Sequence, residues 1–379
     1  MTQRVSFYAK TIVLFTGMTL LAIAPQQSLA DTLYAQINLT SNVPGLAANT
    51  DPNLRNPWGM SYNATSPFWI SNQMSGNATL YNGAGVPNAL VVTTPGSGAF
   101  SGPTGQVFAG LAGNFLLNGT PSSFIFATLG GTIDAWNGGN TATTVRFVAG
   151  AEYTGLAIDN NGSGNFLYAA NYATGQIDVF DSTFTPATLP GSFSDPTIPA
   201  GYVPYNVQAL KGNLYVEYAL KGASGNPLAP QRGAGNGFVR VYDANGNLLA
   251  GAPAISGGNL NAPWGVAFAP ADFGTFSNDL LIGNFGNGMI NAYDPTTGLF
   301  VGTIMGSNGL PLVNNNLWGI GIRTAGTFDT NALYFAAGID MQNDGLFGEI
   351  VATPEPGGLV VAGCAVLLFL IWHRRPSVT

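Results

Sequence analysis

Residues 175–180 alternate, with Ile177 and Val179 set against Gln176, Asp178 and Phe180, the period of two that a half-buried strand requires. Two further short apolar runs precede them, Thr154–Ile158 and Asn165–Ala170. They are separated by Asp159-Asn-Asn-Gly-Ser-Gly164, a stretch with hairpin-turn chemistry. The same order recurs along the chain. Third-strand copies lie at Ala78–Tyr81, Gly131–Trp136, Gly237–Tyr242, Gly288–Tyr293 and, less faithfully, Gly345–Val351. First strands open at Trp58-Gly59, Thr104-Gly105, Thr154-Gly155, Tyr205-Asn206, Trp264-Gly265 and Trp318-Gly319, which are 46, 50, 51, 59 and 54 residues apart. Repeats of that length filled with strands predict propeller blades.

Fourth strands are expected in five of the six blocks, for example Thr144–Val148 and Leu299–Ile304. The sixth block runs out at Val351, while Leu33–Leu39 is a strand-like segment with no block of its own. A ring of blades leaves unpaired edges unless its ends interlock. The expected fold is therefore all-β, a six-bladed β-propeller over residues 31–353, closed by an N-terminal strand that completes the last blade.

Both ends of the chain carry a different pattern. Arg4 and Lys10 precede the apolar run Thr11–Ala24, and Ser28-Leu29-Ala30 is a small-x-small cleavage site. Residues 1–30 thus read as a signal peptide with a helical apolar core, removed by signal peptidase. At the other end, Pro354-Glu355-Pro356 precedes the apolar run 357–372, which is followed by Arg374 and Arg375. That run predicts a C-terminal transmembrane helix, roughly 24 Å long at about 1.5 Å per residue. The arginines favour a cytoplasmic C-terminus. The expected location is across the inner membrane, tail-anchored first and then at the cell surface or outside it.

Composition changes the chemistry available. The single Cys364 and the single His373 both lie in the tail, so the body has neither. Disulfides are excluded there, as are Ser-His-Asp and Cys-His catalysis and ordinary zinc or copper sites. Residues 31–356 hold 7 basic and 18 acidic side chains, so 7 − 18 = −11, which argues against nucleic acid as a partner. The 52 Gly and 24 Pro supply the many tight connections.

The tail, with its Pro354-Glu355-Pro356 triplet, apolar helix and terminal Arg374-Arg375, resembles the PEP-CTERM sorting signal. The resemblance covers residues 354–379 and implies a Gram-negative bacterial protein handled by an exosortase-type enzyme that cleaves near the triplet. It also implies association with exopolysaccharide or biofilm matrix, with the membrane engaged through the tail before processing. The blades resemble NHL-type six-bladed propellers, whose third strand reads Gly-x-Ile-x-Val-Phe and whose second ends in an acidic or amide residue. Asn72, Asn171 and Asn284 fall at that place. The whole chain is similar to PEP-CTERM-tailed propellers of unassigned activity. Compared with the gluconolactonase and regucalcin propellers, the positions matching the metal ligands hold Trp58, Thr154, Tyr205, Trp264 and Trp318 instead.

The inner-strand aromatics Trp58, Tyr205, Trp264 and Trp318 are the binding candidates, either ringing a channel mouth to stack on sugar faces or filling gaps between blades. Asn72, Asn171 and Asn284 join them as ligand-binding candidates. Asp159 with Asn161, and Asp243 with Asn245, place oxygens at alternate positions; they read as Ca²⁺ ligands or as Asx-Gly turns. Carboxylate catalysis needs only two positioned acids, and Asp134, Glu152, Asp178 and Glu217 lie near inner strands, but no catalytic residue is assigned. Two functions follow. The first is a non-catalytic, exported binding or structural propeller of the surface or matrix. The alternative is a carboxylate- and Ca²⁺-dependent hydrolase or lactonase.

Overall fold

The computed structural model describes residues 32–96, 101–110, 115–326 and 328–353. The expected signal segment 1–30 and the expected sorting tail 354–379, including Pro354, Glu355, Pro356, Arg374, Arg375 and the apolar run 357–372, lie outside the described residues. Among the described residues, no helix is long and apolar enough to cross a membrane.

The body is an all-β propeller of six blades. Blade 1 pairs Pro57–Ser61, Phe68–Asn72, Asn77–Tyr81 and Pro87–Thr93 in order from the axis outward. Blade 2 does the same with Pro103–Phe108, Phe124–Thr128, Thr132–Trp136 and Thr143–Phe147. Blade 3 has Tyr153–Asn160, Asn165–Asn171 and Gln176–Asp181. Blade 4 has Tyr202–Leu210, Asn213–Leu220, Phe238–Tyr242 and the short Ile255–Ser256. Blade 5 has Pro263–Phe268, Leu280–Asn284, Ile290–Tyr293 and Phe300–Thr303. Blade 6 has Leu317–Ile322, Leu333–Ala337 and Leu346–Ala352, and its outer strand is Tyr34–Ser41, antiparallel to the third. The N-terminal strand therefore closes the ring. It runs two residues beyond the expected Leu33–Leu39 because Thr40 and Ser41 pair with Phe347 and Leu346 after a bulge.

Blade 3 corrects one expectation, since it has no fourth strand. The chain after Gln176–Asp181 turns back on it with two ladder bonds, from the Asp181 amide to the Thr185 carbonyl and from the Ala187 amide to the Val179 carbonyl, each 2.9 Å. It then departs, with Pro186 inside the bridged stretch and Pro190 just beyond it. A proline has no amide to donate, so a run with two of them four residues apart does not sustain a ladder.

The Gly after each opening aromatic or threonine explains how the ring can be this tight. A Cβ on Gly59 would come within 2.5 Å of the Thr104 carbonyl oxygen, and one on Gly105 within 2.2 Å of the Leu156 amide. The same close approach joins Gly155 to Asn206, Gly265 to Trp318 and Gly319 to Trp58. Each inner strand touches the next, and the sixth touches the first. Only the absence of a side chain permits that spacing.

Blade 4 breaks the rule with Asn206. Its side chain instead bridges forward, Nδ2 donating to the Trp264 carbonyl at 2.6 Å. Opposite Asn206 on the neighbouring strand stands Glu217, where blades 3 and 5 have Ala170 and Gly283.

Apolar clusters fill the seams between blades. Trp69, Leu80 and Val92 of blade 1 meet Phe124 and Phe126 of blade 2, for instance, and Tyr34 joins the seam of blades 5 and 6 with Leu281 and Phe335. Burial of this kind, at about 25 cal/mol per Å² of apolar surface, is what holds six separate sheets as one body. A further cluster lies on the axis.

Candidate functional site

Three of the six inner strands begin in the same way. Asn56, Ala262 and Asn316, each two residues before a Trp, have φ of 45°, 48° and 53°. A left-handed residue there turns the chain sharply from the preceding blade into the axis. As a result Trp58, Trp264 and Trp318 converge. Trp58 and Trp318 stack with ring centroids 3.4 Å apart. Trp264 stands edge-on to both, at 6.0 Å and 5.8 Å. Phe285 lies against Trp318 at 4.3 Å, and Tyr205 is 5.8 Å from it.

These aromatics are buried, so they plug the axis and present no open ring face. Their polar atoms are mostly spent inside the plug. The Trp318 indole donates to Asn56 Oδ1 at 2.9 Å, that of Trp264 to the Thr154 carbonyl at 3.1 Å, and the Tyr205 hydroxyl to the Pro227 carbonyl at 2.8 Å. Burial pushes the Tyr205 hydroxyl well above its ordinary value, with Tyr172 adding to the effect.

The three asparagines are brought to the rim of this plug and act as staples. Asn72 Nδ2 donates to Asn77 and Thr79. Asn171 donates to Asp178 and accepts from the Glu152 amide. Asn284 accepts from the Asn261 amide at 3.0 Å and donates to the Asn259 carbonyl at 2.8 Å. Each ties the end of a second strand to its neighbours, and the residues after two of them, Tyr172 and Phe285, enter the axial cluster.

The two Asx turns meet at their tips, Asn161 Nδ2 donating to Asn245 Oδ1 at 2.9 Å. Asn161 Oδ1 accepts from Ser163 and Gly164, and Asp243 accepts from Asn245 and Asn247. Burial alone would raise the Asp243 carboxyl, but hydrogen bonds from Asn247, Asn245 and Gly246 hold it below the ordinary carboxylate range. Ca²⁺ takes six to eight oxygens, whereas most of these oxygens are engaged with turn donors, Asp159 Oδ2 being buried without a hydrogen-bond partner. Among the described residues no three His, Cys, Asp or Glu converge as a metal site. Asp159, Asn161, Asp243 and Asn245 thus have the geometry of Asx turns.

One space available to a ligand lies beyond the plug, where the inner strands finish. A cavity of ≈ 290 Å³ opens there, with the axial glycines, Asn206 and Trp264 at its inner end and Tyr62, Phe108 and Leu210 toward the other end of the inner strands. Its polar lining is Ser61, Tyr62, Gln106, Asn206 and Gln208. Gln106 Nε2 donates to the Gly59 and Trp69 carbonyls, and Gln208 Oε1 accepts from the Val266 amide at 2.9 Å. The Tyr62 hydroxyl donates to the Ile322 carbonyl, and burial pushes it up to about 12 against the pull of Arg323. No charged side chain is among the lining residues.

None of Asp134, Glu152, Asp178 and Glu217 lines it. Burial raises the first, Asp134, although Thr144, Gly96 and Thr132 donate to it. The signal for the cavity was present in the sequence: Ser61, Gln106 and Gln208 are polar residues shortly after the openings, on strands otherwise filled by residues such as Val107, Leu156 and Ile320.

No protein-family model matches the chain. It is 33% identical over 329 residues to the uncharacterized protein R648 of Acanthamoeba polyphaga mimivirus, covering 82% of this chain and 78% of that one. It is 30% identical to uncharacterized protein L690 of the same virus, over 83% of this chain and 84% of that one. Among solved structures it is similar to hydrazine synthase from Kuenenia stuttgartiensis, at TM-score 0.48 and 11% identity over 82% of this chain and 99% of that one. Virginiamycin B lyase from Staphylococcus aureus is similar at TM-score 0.43 and 12% identity, over 85% of this chain and all (100%) of that one. At these scores the blade count rests on the strand pairing alone.

Proposed function

This chain belongs to the family of the mimivirus uncharacterized proteins R648 and L690, and we propose that it is a binding propeller that takes an uncharged ligand in its axial cavity. The observation that carries this reading is the cavity lining: amides from Gln106, Asn206 and Gln208, hydroxyls from Ser61 and Tyr62, and apolar walls without a charged group. Such a lining recognises a ligand by directional hydrogen bonds and apolar contact, in the manner of small-molecule sites. Trp58 and Trp318 support the cavity from behind, and Trp264 closes its inner end.

On the same reading the protein works outside the cell. Support for export comes from the signal-like residues 1–30, and support for transient anchoring from the Pro354–Pro356 triplet and the basic apolar tail. An exopolysaccharide of the surface matrix is the ligand class this location favours. The low charge and the many amide and hydroxyl groups of the body suit a carbohydrate partner.

Substituting Ala209, an exposed residue on the cavity lining, tests the reading without disturbing a hydrogen bond. Ala209→Trp fills the cavity and is expected to lower binding on a neutral-glycan array by about tenfold, the equivalent of about 1.4 kcal/mol, with an unchanged melting temperature. Binding unaffected by Ala209→Trp would remove the cavity from the function.

A further inference from the structure

The opposite end of the axis carries a second recess, on the far side of the tryptophan plug. It has ≈ 500 Å³ and is lined by Arg232, Asn315, Asn316, Asp340, Met341 and Gln342. Arg232 is held rather than free. Its guanidinium lies 4.6 Å over the Phe285 ring and donates to Asn316 Oδ1 and, at 3.5 Å, to the Gly286 carbonyl. Phe285 in turn packs on Trp318, and Trp318 on Trp58, so the guanidinium ends a stack anchored in the core. No carboxylate among the described residues is within ion-pair distance of it, the one salt bridge there joining Arg240 to Asp195. A fixed, exposed guanidinium with open donors is the group best suited to a bidentate oxyanion.

The other wall of the recess is strained. Asp340, Met341 and Gln342 have φ of 48°, 53° and 72° in succession. Each such residue costs roughly 1–2 kcal/mol in an L-amino-acid chain, and outliers of this kind cluster at ligand clamps. The turn is held in place by Gln342, whose amide bonds the Gly338 carbonyl at 3.1 Å and whose Nε2 reaches the Leu228 carbonyl at 2.9 Å. It leaves Met341 81% exposed at the rim. Asp340 and Asn315 are exposed, and their side chains make no hydrogen bond among the described residues.

We propose that this recess is a second binding site, for a hydroxylated carboxylate of the sugar-acid class. The carboxylate pairs with Arg232, while Asp340 and Asn315 accept from and donate to the hydroxyls. A simple carboxylate satisfies Arg232 but meets the Asp340 charge with nothing to bridge it. A neutral sugar satisfies Asp340 and leaves the guanidinium unpaired. Only a ligand bearing both groups matches both walls.

Calorimetric titration of the full chain with glucuronate, glucose and propionate separates these cases. Glucuronate is expected to bind at least about tenfold more tightly than either of the others, the scale of one charge-assisted pair. Arg232→Gln should abolish that preference over glucose, Asp340→Asn should reduce the preference over propionate, and Arg232→Lys should restore part of the first. Because both residues are on the surface, the melting temperatures of the variants should match the parent. Equal affinity for glucose and glucuronate, no heat from any of the three, or glucuronate binding untouched by Arg232→Gln would each overturn the proposal. Ala209→Trp acts at the other end of the axis, so the two sites fail or stand independently.

Discussion

Trp318→Ala is expected to destabilise the propeller by about 3–5 kcal/mol, the range for deleting a buried large aromatic. Trp318 is fully buried and is the hub of the plug, touching Trp58 of blade 1, Trp264 and Phe285 of blade 5, and Tyr205 of blade 4. Its loss removes contacts among four blades at once and leaves Asn56 Oδ1 without its indole donor, a buried acceptor whose desolvation is no longer compensated. Glycines hold the surrounding backbone close, so the site cannot collapse to fill the void. Phe300→Ala, on the exposed outer strand of blade 5 at 47% exposure, is the control and should cost less than about 1 kcal/mol. Urea unfolding followed by circular dichroism reads both. Equal midpoints for the two variants would mean that the axis is not a load shared between blades.

Glu217→Gln should stabilise the protein at neutral pH, with a benefit that fades on acidification. Glu217 is 0% exposed and neither carboxyl oxygen has a hydrogen-bond partner; burial pushes its carboxyl well above the ordinary value of 4.5. Above pH 4.5 the unfolded chain releases this proton while the folded chain keeps it, so folding takes up a proton. Stability from this group is therefore full below about pH 4.5 and falls by about 1.4 kcal/mol per pH unit above it, until the folded carboxyl itself ionises. Glutamine has the same shape without the proton, so the variant should lose that slope. Asp134 shifts in the same direction through burial and leaves a residual slope in both proteins. Parallel stability profiles of parent and variant between pH 4.5 and 7 would show that Glu217 is not buried as described.

Much of this architecture was legible in the chain. The spacing of the openings marked the blades because five of the six inner strands need a glycine where they pass the next. The orphan N-terminal strand marked the closure because the sixth block ended one strand short. Pro186 and Pro190 mark the missing outer strand of blade 3, where the repeat of the blocks argued for its presence.

Whether Trp58, Trp264 and Trp318 face a mouth or one another was not legible. Periodicity places a residue on a face, and only the convergence of inner strands decides what lies opposite that face. Glu217 was hidden for a related reason. Asn206 departs visibly from the glycine rule, but its cross-strand partner depends on a bulge between Pro204 and Asn206. The role of Asn72, Asn171 and Asn284 depends on loop atoms that no strand pattern locates. Arg232 sits in a long insertion of blade 4, and its stacking on Phe285 joins residues 53 positions apart (285 − 232).

The closure of the ring by its own first strand is tested most directly by a cross-link. Ile37 faces Glu349 across the outer pair of blade 6, and directly opposed residues of antiparallel strands lie within disulfide reach. Ile37→Cys with Glu349→Cys, in a chain also carrying Cys364→Ser, should oxidise to an intramolecular disulfide, seen as faster migration on a non-reducing gel and a raised melting temperature. Asn38→Cys with Glu349→Cys, one residue out of register and on the other face of the strand, should not. A first pair that stays reduced, or that yields only cross-linked dimers, would contradict a propeller closed by the N-terminal strand of the same chain.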